Sequence, residues 1–584
     1  MAVAVLVALP ALLFGVPALL GHPVLPGDDL TQNFPLRVLA GREIRSGHLP
    51  LFDAYDWSGS PLLAGWNAGA AYPLTWLFGV LPGAAAWTIG MIATWVTAGT
   101  GTFAFLRALC LRPLPSFLGA LSFALAGAMA AQAPHFGLVA GMSWVPLALL
   151  GVQKLTSFSL TNSLTNHSDS PGSTGWWSSR RNLSRPDLSR RDPRWTAVLA
   201  VAVGLIILAG EPRAIVDGFT IIGLYAVWQV GRLWFAGSSG ASGLSGRRWF
   251  SWQHGRRALP AAALIAAGCL LGVGLGAVQW LPGLASIASS QRGTGSMALF
   301  SSGSLPPEWL TLTLIPDLLG GSGTLSQPPF FANYGLAEVT SYVGILPLVA
   351  AFALLVRAFG GRLPGTRRSE YLIWHVMGVV GIALALGGKS PLGQVLYRLP
   401  LFGSQRLQSR NILLLDLALA VLLAFWLNDP FPNAPRLRRG SLEAGESRLR
   451  ARAVAETLAG VLPPIGILVL VVLSLTWGAG LLRWVGTGPA RAADGIGPLR
   501  PWLIPTAVLA VAAVALVVFG HGVFRHGVFG HGVFGHRGLG RRLGRRWWGR
   551  ACAGFVAVDV MVFTVLAVTR VAPTPSPSPS TAAA

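Results

Sequence analysis

Two groups of residues have types and spacings suited to chemistry. Asp28 and Asp29 follow Pro26-Gly27. A carboxylate held where lipid meets water can take a proton from a hydroxyl, as a general base does, although a Pro-Gly-Asp-Asp stretch also suits a solvated turn that caps the next helix. Lys389, Arg398, Arg406 and Arg410 supply four cations within 22 positions. Guanidinium forks grip phosphate oxygens and stabilise charge on a departing phosphate, while contact with anionic lipid headgroups explains the same cluster equally well.

Other residues are weaker candidates for binding a substrate. Glu211, Arg213 and Asp217 fall at a tight turn between two apolar stretches, where ionisable groups are costly and usually kept for a reason; a structural Glu-Arg pair is the plainer explanation. His48, His135 and Asp53 lie in polar stretches, and Trp57, Trp66, Tyr72 and Trp144 have faces suited to sugar stacking. Aromatic belts at membrane boundaries account for such rings just as simply. Asp416 and Asp559 lie inside apolar stretches, where each is expected to find an interhelical partner rather than to react. The repeats carrying His521, His526, His531 and His536 invite a metal reading. A five-residue step turns about 500° around a helix, so the rings do not share a face, and a lengthened linker is the favoured reading. Phosphate-binding glycine loops, His-Glu-x-x-His runs and nucleophilic serine elbows are absent from the sequence, which removes nucleotide hydrolysis, zinc proteolysis and esterase chemistry.

The elements that must position these residues are set by composition. Of 584 residues, 53% are hydrophobic and 11% are charged, less than half the charge of an ordinary soluble domain. Apolar stretches of spanning length fall at about 2–20, 85–108, 114–133, 137–153, 195–210, 214–235, 258–281, 340–358, 371–388, 409–428, 458–482, 501–520 and 551–569. This predicts an all-α polytopic membrane protein with about 13 transmembrane helices, the fifth and sixth being a possible re-entrant hairpin. The first stretch lacks the basic region and cleavage site of a signal peptide. The net charge of +23 is spread in short clusters between the stretches rather than gathered on one face, which excludes nucleic acid as a partner. With the amino terminus inside, the cytoplasmic loops hold 31 of the 44 Lys and Arg and the opposite loops 13. That bias puts the amino terminus in the cytoplasm and the carboxyl terminus outside the cell membrane. Cys110, Cys269 and Cys552 are far apart and form no framework.

The loops divide by character. Residues 154–194 and 236–257, rich in Ser, Gly and Arg, read as cytoplasmic linkers. The outer segments 21–84, 283–339 and 389–408 carry Trp, Tyr, Pro and spaced acids, and form the candidate active surface. Within the first, Leu36, Leu39, Ala40 and Ile44 make one helical stripe with Arg37, Arg42 and Arg45 largely off it, predicting an interfacial helix on the outer leaflet. The organisation expected is an amino-terminal transmembrane module over 1–282 with its first outer loop at 21–84, an outer loop over 283–339, a carboxyl-terminal transmembrane module over 340–569, and a Pro/Ser tail over 570–584.

Several short runs occur in a consistent order: Gly27-Asp28-Asp29, Gln32 and Pro35; Ser46-Gly47-His48-Leu49-Pro50-Leu51-Phe52-Asp53; Gly59-Ser60-Pro61-Leu62; Tyr72-Pro73-Leu74; Trp144-Val145-Pro146-Leu147; Gly210-Glu211-Pro212-Arg213; Tyr342-Val343-Gly344 continuing to Leu348; and Leu399-Pro400 before Arg406 and Arg410. In these runs the chain resembles the YfhO-like bacterial membrane proteins, within the wider GT-C group of polyprenyl-phosphate-sugar-dependent glycosyltransferases. The resemblance implies a GT-C-like fold and transfer of a sugar, with inversion, from an outer-leaflet polyprenyl-phosphate donor to a cell-envelope glycan or glycolipid. It makes Asp28 and Asp29 the acidic residues of the first outer loop that activate the acceptor. The reading leans to Asp29 as base, with Asp28 assisting or binding a metal. A phosphate leaves readily, so one base suffices, unlike the paired carboxylates of a glycoside hydrolase. Lys389, Arg398, Arg406 and Arg410 become the donor-phosphate site. The cofactor is unknown, with a divalent cation as one option, and membrane lipid is a partner throughout. The main alternative is a transporter or flippase of lipid-linked envelope precursors, which calls for broken helices and ionisable residues within spans.

Overall fold

The structure, a computed structural model, describes every residue except 57, 126, 166–191, 236–251, 291–292, 294, 321–337, 360–364, 400–401, 429–441, 485–488, 526–536 and 569–584. The linker at 166–191, Trp57, the repeats at His526, His531 and His536, and the Pro/Ser tail therefore lie outside the described residues.

Each of the thirteen apolar stretches contains helix. Nine helices among the described residues are long and apolar enough to cross a membrane, from Ala2–Leu19 to Leu503–Gly520, so the chain is a helical protein built for a bilayer. Others are shorter: Arg194–Leu208 and Ile345–Phe359 have 15 residues each, about 22 Å at 1.5 Å per residue, less than a full crossing. Among the described residues, strand is confined to a hairpin in the loop over 21–84, where Phe52 pairs with Pro61 and Asp53 with Ser60.

The centre is the helix Leu413–Asn428. It is apolar all round and almost wholly buried, as a helix without a polar face must be. Pro113–Leu125 lies close against it, because a Cβ at Gly119 would stand 2.8 Å from the Ala420 carbonyl oxygen. Small residues allow such approach where lipid leaves packing as the main attraction. The flanks carry exposed apolar side chains such as Val469, Val472, Ile504, Val508 and Val511, a surface suited to hydrocarbon.

Pro113–Leu125 stops where Gly127 turns to φ +51° and a new helix, Gly127–Ala131, begins. The break is occupied from two sides. Gly127 N–H donates to the Tyr342 carbonyl at 2.6 Å, and Asp416 on the central helix accepts from Ala128 N at 2.6 Å and from the Ser341 hydroxyl. Asp559, on the last helix Arg537–Val568, accepts from Tyr342 Oη at 2.6 Å and from Ile345 N at 2.9 Å. Both intramembrane carboxylates thus hold the segment 341–345 rather than pairing helix to helix through charges. Buried acids need such donors to offset desolvation. A Cβ at Gly127 would fall 2.0 Å from Asp416 Oδ2. Gly127→Ala is therefore expected to cost about 2–4 kcal/mol, through the left-handed backbone and the displaced carboxylate, read as a fall in melting temperature in detergent.

The helix expected over residues 36–44 forms as Phe34–Arg45. Leu36 and Leu39 pack on Leu62, Leu63, Ala68 and Ala70 of the same loop. Arg42 and Arg45 are exposed, but the third arginine is not. Arg37 is fully buried, with its guanidinium 4.6 Å over the Phe136 ring and hydrogen-bonded to Thr75 Oγ1 and, at 3.4 Å, to the Ala209 carbonyl. The surface reading of Arg37 is corrected by these three partners, which lie far along the sequence.

Candidate functional site

The site is a cleft of about 360 Å³ where the ends of several helices meet. Helix Pro212–Phe235 begins at its wall, and so does Phe136–Thr156, so two positive dipole ends lie at the same space, with Phe136 N already donating to Asp29 and Arg213 N to Glu211. Asp28, Gln32, Asn33, Trp66 and Asn67 enter from the first outer loop, His135 and Gly137 from the start of Phe136–Thr156, and Glu211 and Arg213 from the tight turn. Ser286, Ile287 and Ser290 come from the end of Ala277–Ala288 and beyond it, and Glu338, Gln405, Arg406, Leu407 and Arg410 from the later loops. All of these loops were assigned by charge counting to one side of the membrane.

A chain of charges crosses the cleft. His135 Nε2 lies 3.5 Å from Asp28 Oδ2 and 3.3 Å from Glu338 Oε1. Glu338 in turn grips Arg410 with both oxygens, at 2.7 Å to Nε and 2.7 Å to Nη2. Arg213 donates from Nη1 to Gln408 Oε1 at 3.1 Å, and its Nε lies 3.2 Å from Asp217 Oδ1; its Nη2 has no hydrogen-bond acceptor among the described residues. Arg406 is exposed and in no ion pair among the described residues. The His135 hydrogen bond holds the Asp28 carboxyl below the ordinary Asp value, against some burial and with help from the charges of His135 and Arg410. Burial alone would raise Glu338, but the Arg410 hydrogen bonds and charge outweigh it and keep the group low. Both are ionised at neutral pH.

Asp29 is in a different place. It has no exposed surface and does not line the cleft. Its Oδ1 accepts from Asn33 Nδ2 at 2.8 Å and from Phe136 N at 3.2 Å, so it caps the helix at whose start His135 stands. Burial pushes its carboxyl up to about 8, against those hydrogen bonds and the Arg37 charge. Arg37 is pulled down to about 10 by the same burial. The expectation that Asp29 is the reacting base is thus corrected by geometry: successive residues of a helical turn point about 100° apart, and here Asp28 faces the cleft. A raised carboxyl stabilises the fold fully below its unfolded value of 3.8, and that contribution is lost as pH rises through about 8. Asp29→Asn is expected to remove the loss, so thermal melts from pH 4 to 9 should show the variant gaining on the parent toward the alkaline end. An unchanged difference across that range would mean that Asp29 folds ionised.

Of the other candidates, Glu211, Arg213, Arg406 and Arg410 share the cleft with Asp28. Lys389 and Arg398 do not: they are exposed on either side of the short helix Pro391–Leu396, so the expected four-cation cluster contributes two members here. His48 is exposed and lies 3.5 Å from Glu43. Asp53 is buried in the hairpin and accepts from Tyr55 N at 2.8 Å. Tyr72 is buried with its hydroxyl accepting from Trp144 Nε1 at 3.0 Å, and burial pushes it up to about 12. None of these three touches the cleft.

Glu338 was missed by sequence reasoning; it is the last of three acids in the segment 283–339, just before the Ser341-Tyr342-Val343 run, and its partners come from loops 203 and 72 residues away. Trp66 and Leu407, two of the three non-glycine residues with positive φ among the described residues (72° and 60°), both line the cleft. Such backbone persists only where its surroundings hold it. Trp66 Nε1 donates to the Gly283 carbonyl at 3.2 Å, and Leu407 N donates to the Ser302 carbonyl at 2.8 Å. Among the described residues no group of three His, Cys, Asp or Glu is placed to hold a metal ion.

The fold and the cleft define a helical membrane-type protein with a polar cleft among its loops, lined by three acids and three arginines. No known protein family, curated protein or solved structure matches the chain.

Proposed function

We propose that the protein is a GT-C-like membrane glycosyltransferase that moves a sugar from a polyprenyl-phosphate donor to a cell-envelope acceptor at the outer face. The observation that carries this reading is the single cleft shared by Asp28, Arg406 and Arg410. Arg406, Arg410, Arg213 and the two helix amino termini suit the donor phosphate, first holding it and then stabilising the charge it takes away. Asp28, ionised and half exposed, takes the proton of the acceptor hydroxyl as that oxygen attacks the anomeric carbon from the face opposite the phosphate. Asp29 positions: it fixes the start of the helix beside His135.

A lipid donor also needs an apolar flank. Helix Ala277–Ala288 supplies Ser286 and Ile287 to the cleft and exposes Val278, Leu281 and Leu284 along the same helix. A prenyl chain lying on that stripe brings its phosphate to the arginines. The orientation that puts the amino terminus in the cytoplasm belongs to the same reading, since it puts every lining loop outside.

The test is transfer from a panel of radiolabelled polyprenyl-phosphate sugars by the purified protein in membranes. Label reaching an envelope glycan or glycolipid supports the reading; no transfer from any donor rejects it. Transport of lipid-linked precursors is the second reading, favoured by the helix break at Gly127 and the buried Asp416 beside it. It predicts movement of intact precursor across reconstituted vesicles without any new glycosidic bond.

A further inference from the structure

Resting on the phosphate reading of the cleft, the geometry points to a role for Glu338 that neither charge counting nor the reaction scheme requires. Its two carboxylate oxygens meet Arg410 Nε and Nη2 at 2.7 Å each. This fork-on-fork contact is the one a phosphate makes with a guanidinium. Arg410 and Glu338 are both largely buried, with side chains 9% and 13% exposed. An Arg left unpaired there would be costly. Glu338 therefore occupies the place that a ligand phosphate needs.

The same carboxylate has a second partner at hand in His135 Nε2, 3.3 Å away, and that nitrogen also serves Asp28. We propose that Glu338 is a built-in stand-in for the phosphate of a lipid-linked ligand at Arg410, ester-linked on one side or both, and that an arriving phosphate displaces it toward His135. The exchange replaces one anion by another on Arg410, so the guanidinium is never left bare. It also gives His135 a full partner in Glu338, which loosens its hold on Asp28. Donor arrival thereby frees the carboxylate that must accept the proton of the acceptor. Headgroups without an anionic oxygen offer Arg410 nothing and leave the pair closed.

The experiment is calorimetric titration of the full-length protein in detergent with farnesyl phosphate, and separately with inorganic phosphate and with neutral farnesol. Glu338→Gln keeps the shape but weakens the competitor by a charge, so it should bind farnesyl phosphate roughly tenfold tighter than the parent. The gain should vanish in the Glu338→Gln, Arg410→Met double variant and be absent with farnesol. Glu338→Asp, whose shorter arm cannot span both nitrogens, should shift binding in the same direction and serves if the first variant fails to fold. A gain for farnesyl phosphate alone assigns the site to a lipid headgroup; an equal gain for inorganic phosphate assigns it to free phosphate. Equal or weaker binding by both Glu338 variants, with the parent still binding, overturns the stand-in role and leaves the phosphate site intact. Absence of binding by every protein overturns both. Exchange without sugar transfer from any donor rejects the transferase reading and retains the stand-in.

Discussion

Asp28→Asn is expected to abolish sugar transfer, with a loss of about 10²–10⁴-fold, the range that a general base contributes. The substitution keeps the side chain's size and its place beside His135 but removes the only charged oxygens that the described residues of the loop 21–84 present to the cleft. Assembly should be unaffected, because Asp28 is substantially exposed, with a side chain 61% accessible. Asp29→Asn provides the contrast. It preserves an acceptor for Phe136 N and should retain most of the transfer activity. Equal and complete loss in both variants would mean that the cap, not the cleft carboxylate, limits the reaction; full activity in Asp28→Asn would reject the carboxylate mechanism. In the parent, transfer should also fall at acid pH, as protonation of Asp28 sets in below the ordinary Asp range.

The second large effect concerns Arg410. Arg410→Met removes a phosphate contact and leaves Glu338 with a charge but no guanidinium to meet it. Transfer should fall by about 10²–10³-fold, as when one group aimed at developing negative charge is deleted. Thermal stability should fall as well, by about 3–5 kcal/mol for a broken buried pair. Adding Glu338→Gln separates the two losses: the uncompensated charge disappears and stability should return, while transfer stays low because the donor still lacks its clamp. Recovery of both together would show that Arg410 serves the fold alone. Melting curves and transfer rates on the parent, Arg410→Met and the double variant decide between them.

Much of this was legible in the sequence for a physical reason. Hydrocarbon demands long apolar helices, so the stretches and the alternation of loops between two sides could be read from hydropathy and from the distribution of Lys and Arg. That alternation is why Asp28, Glu211, Arg213, Arg406 and Arg410 were all sought on one side, and these five do share a cleft. What escaped depends on contacts distant in sequence. Arg37 looked like a surface residue because its partners, Thr75, Phe136 and the Ala209 carbonyl, belong to other elements. The choice between Asp28 and Asp29 depends on the rotation of one helical turn, which a pair of identical neighbours cannot reveal. Lys389 and Arg398 were grouped with Arg406 by proximity along the chain, yet a short helix turns them outward. Glu338 is one of three acids in its segment, and its position gains meaning only when His135 and Arg410 arrive beside it.

The grip of Asp559 on Tyr342 and Ile345 has a bearing on biogenesis. The carboxylate joins the backbone 214 residues upstream of it, at Ile345, four residues beyond Ser341 and seven beyond Glu338. A ribosome making this polypeptide delivers the cleft-lining loops long before it delivers Asp559. Half-made copies therefore carry Arg406 and Arg410 before the 341–345 backbone is fastened, and a stop codon ahead of helix Arg537–Val568 should yield a protein with a lowered melting temperature in detergent.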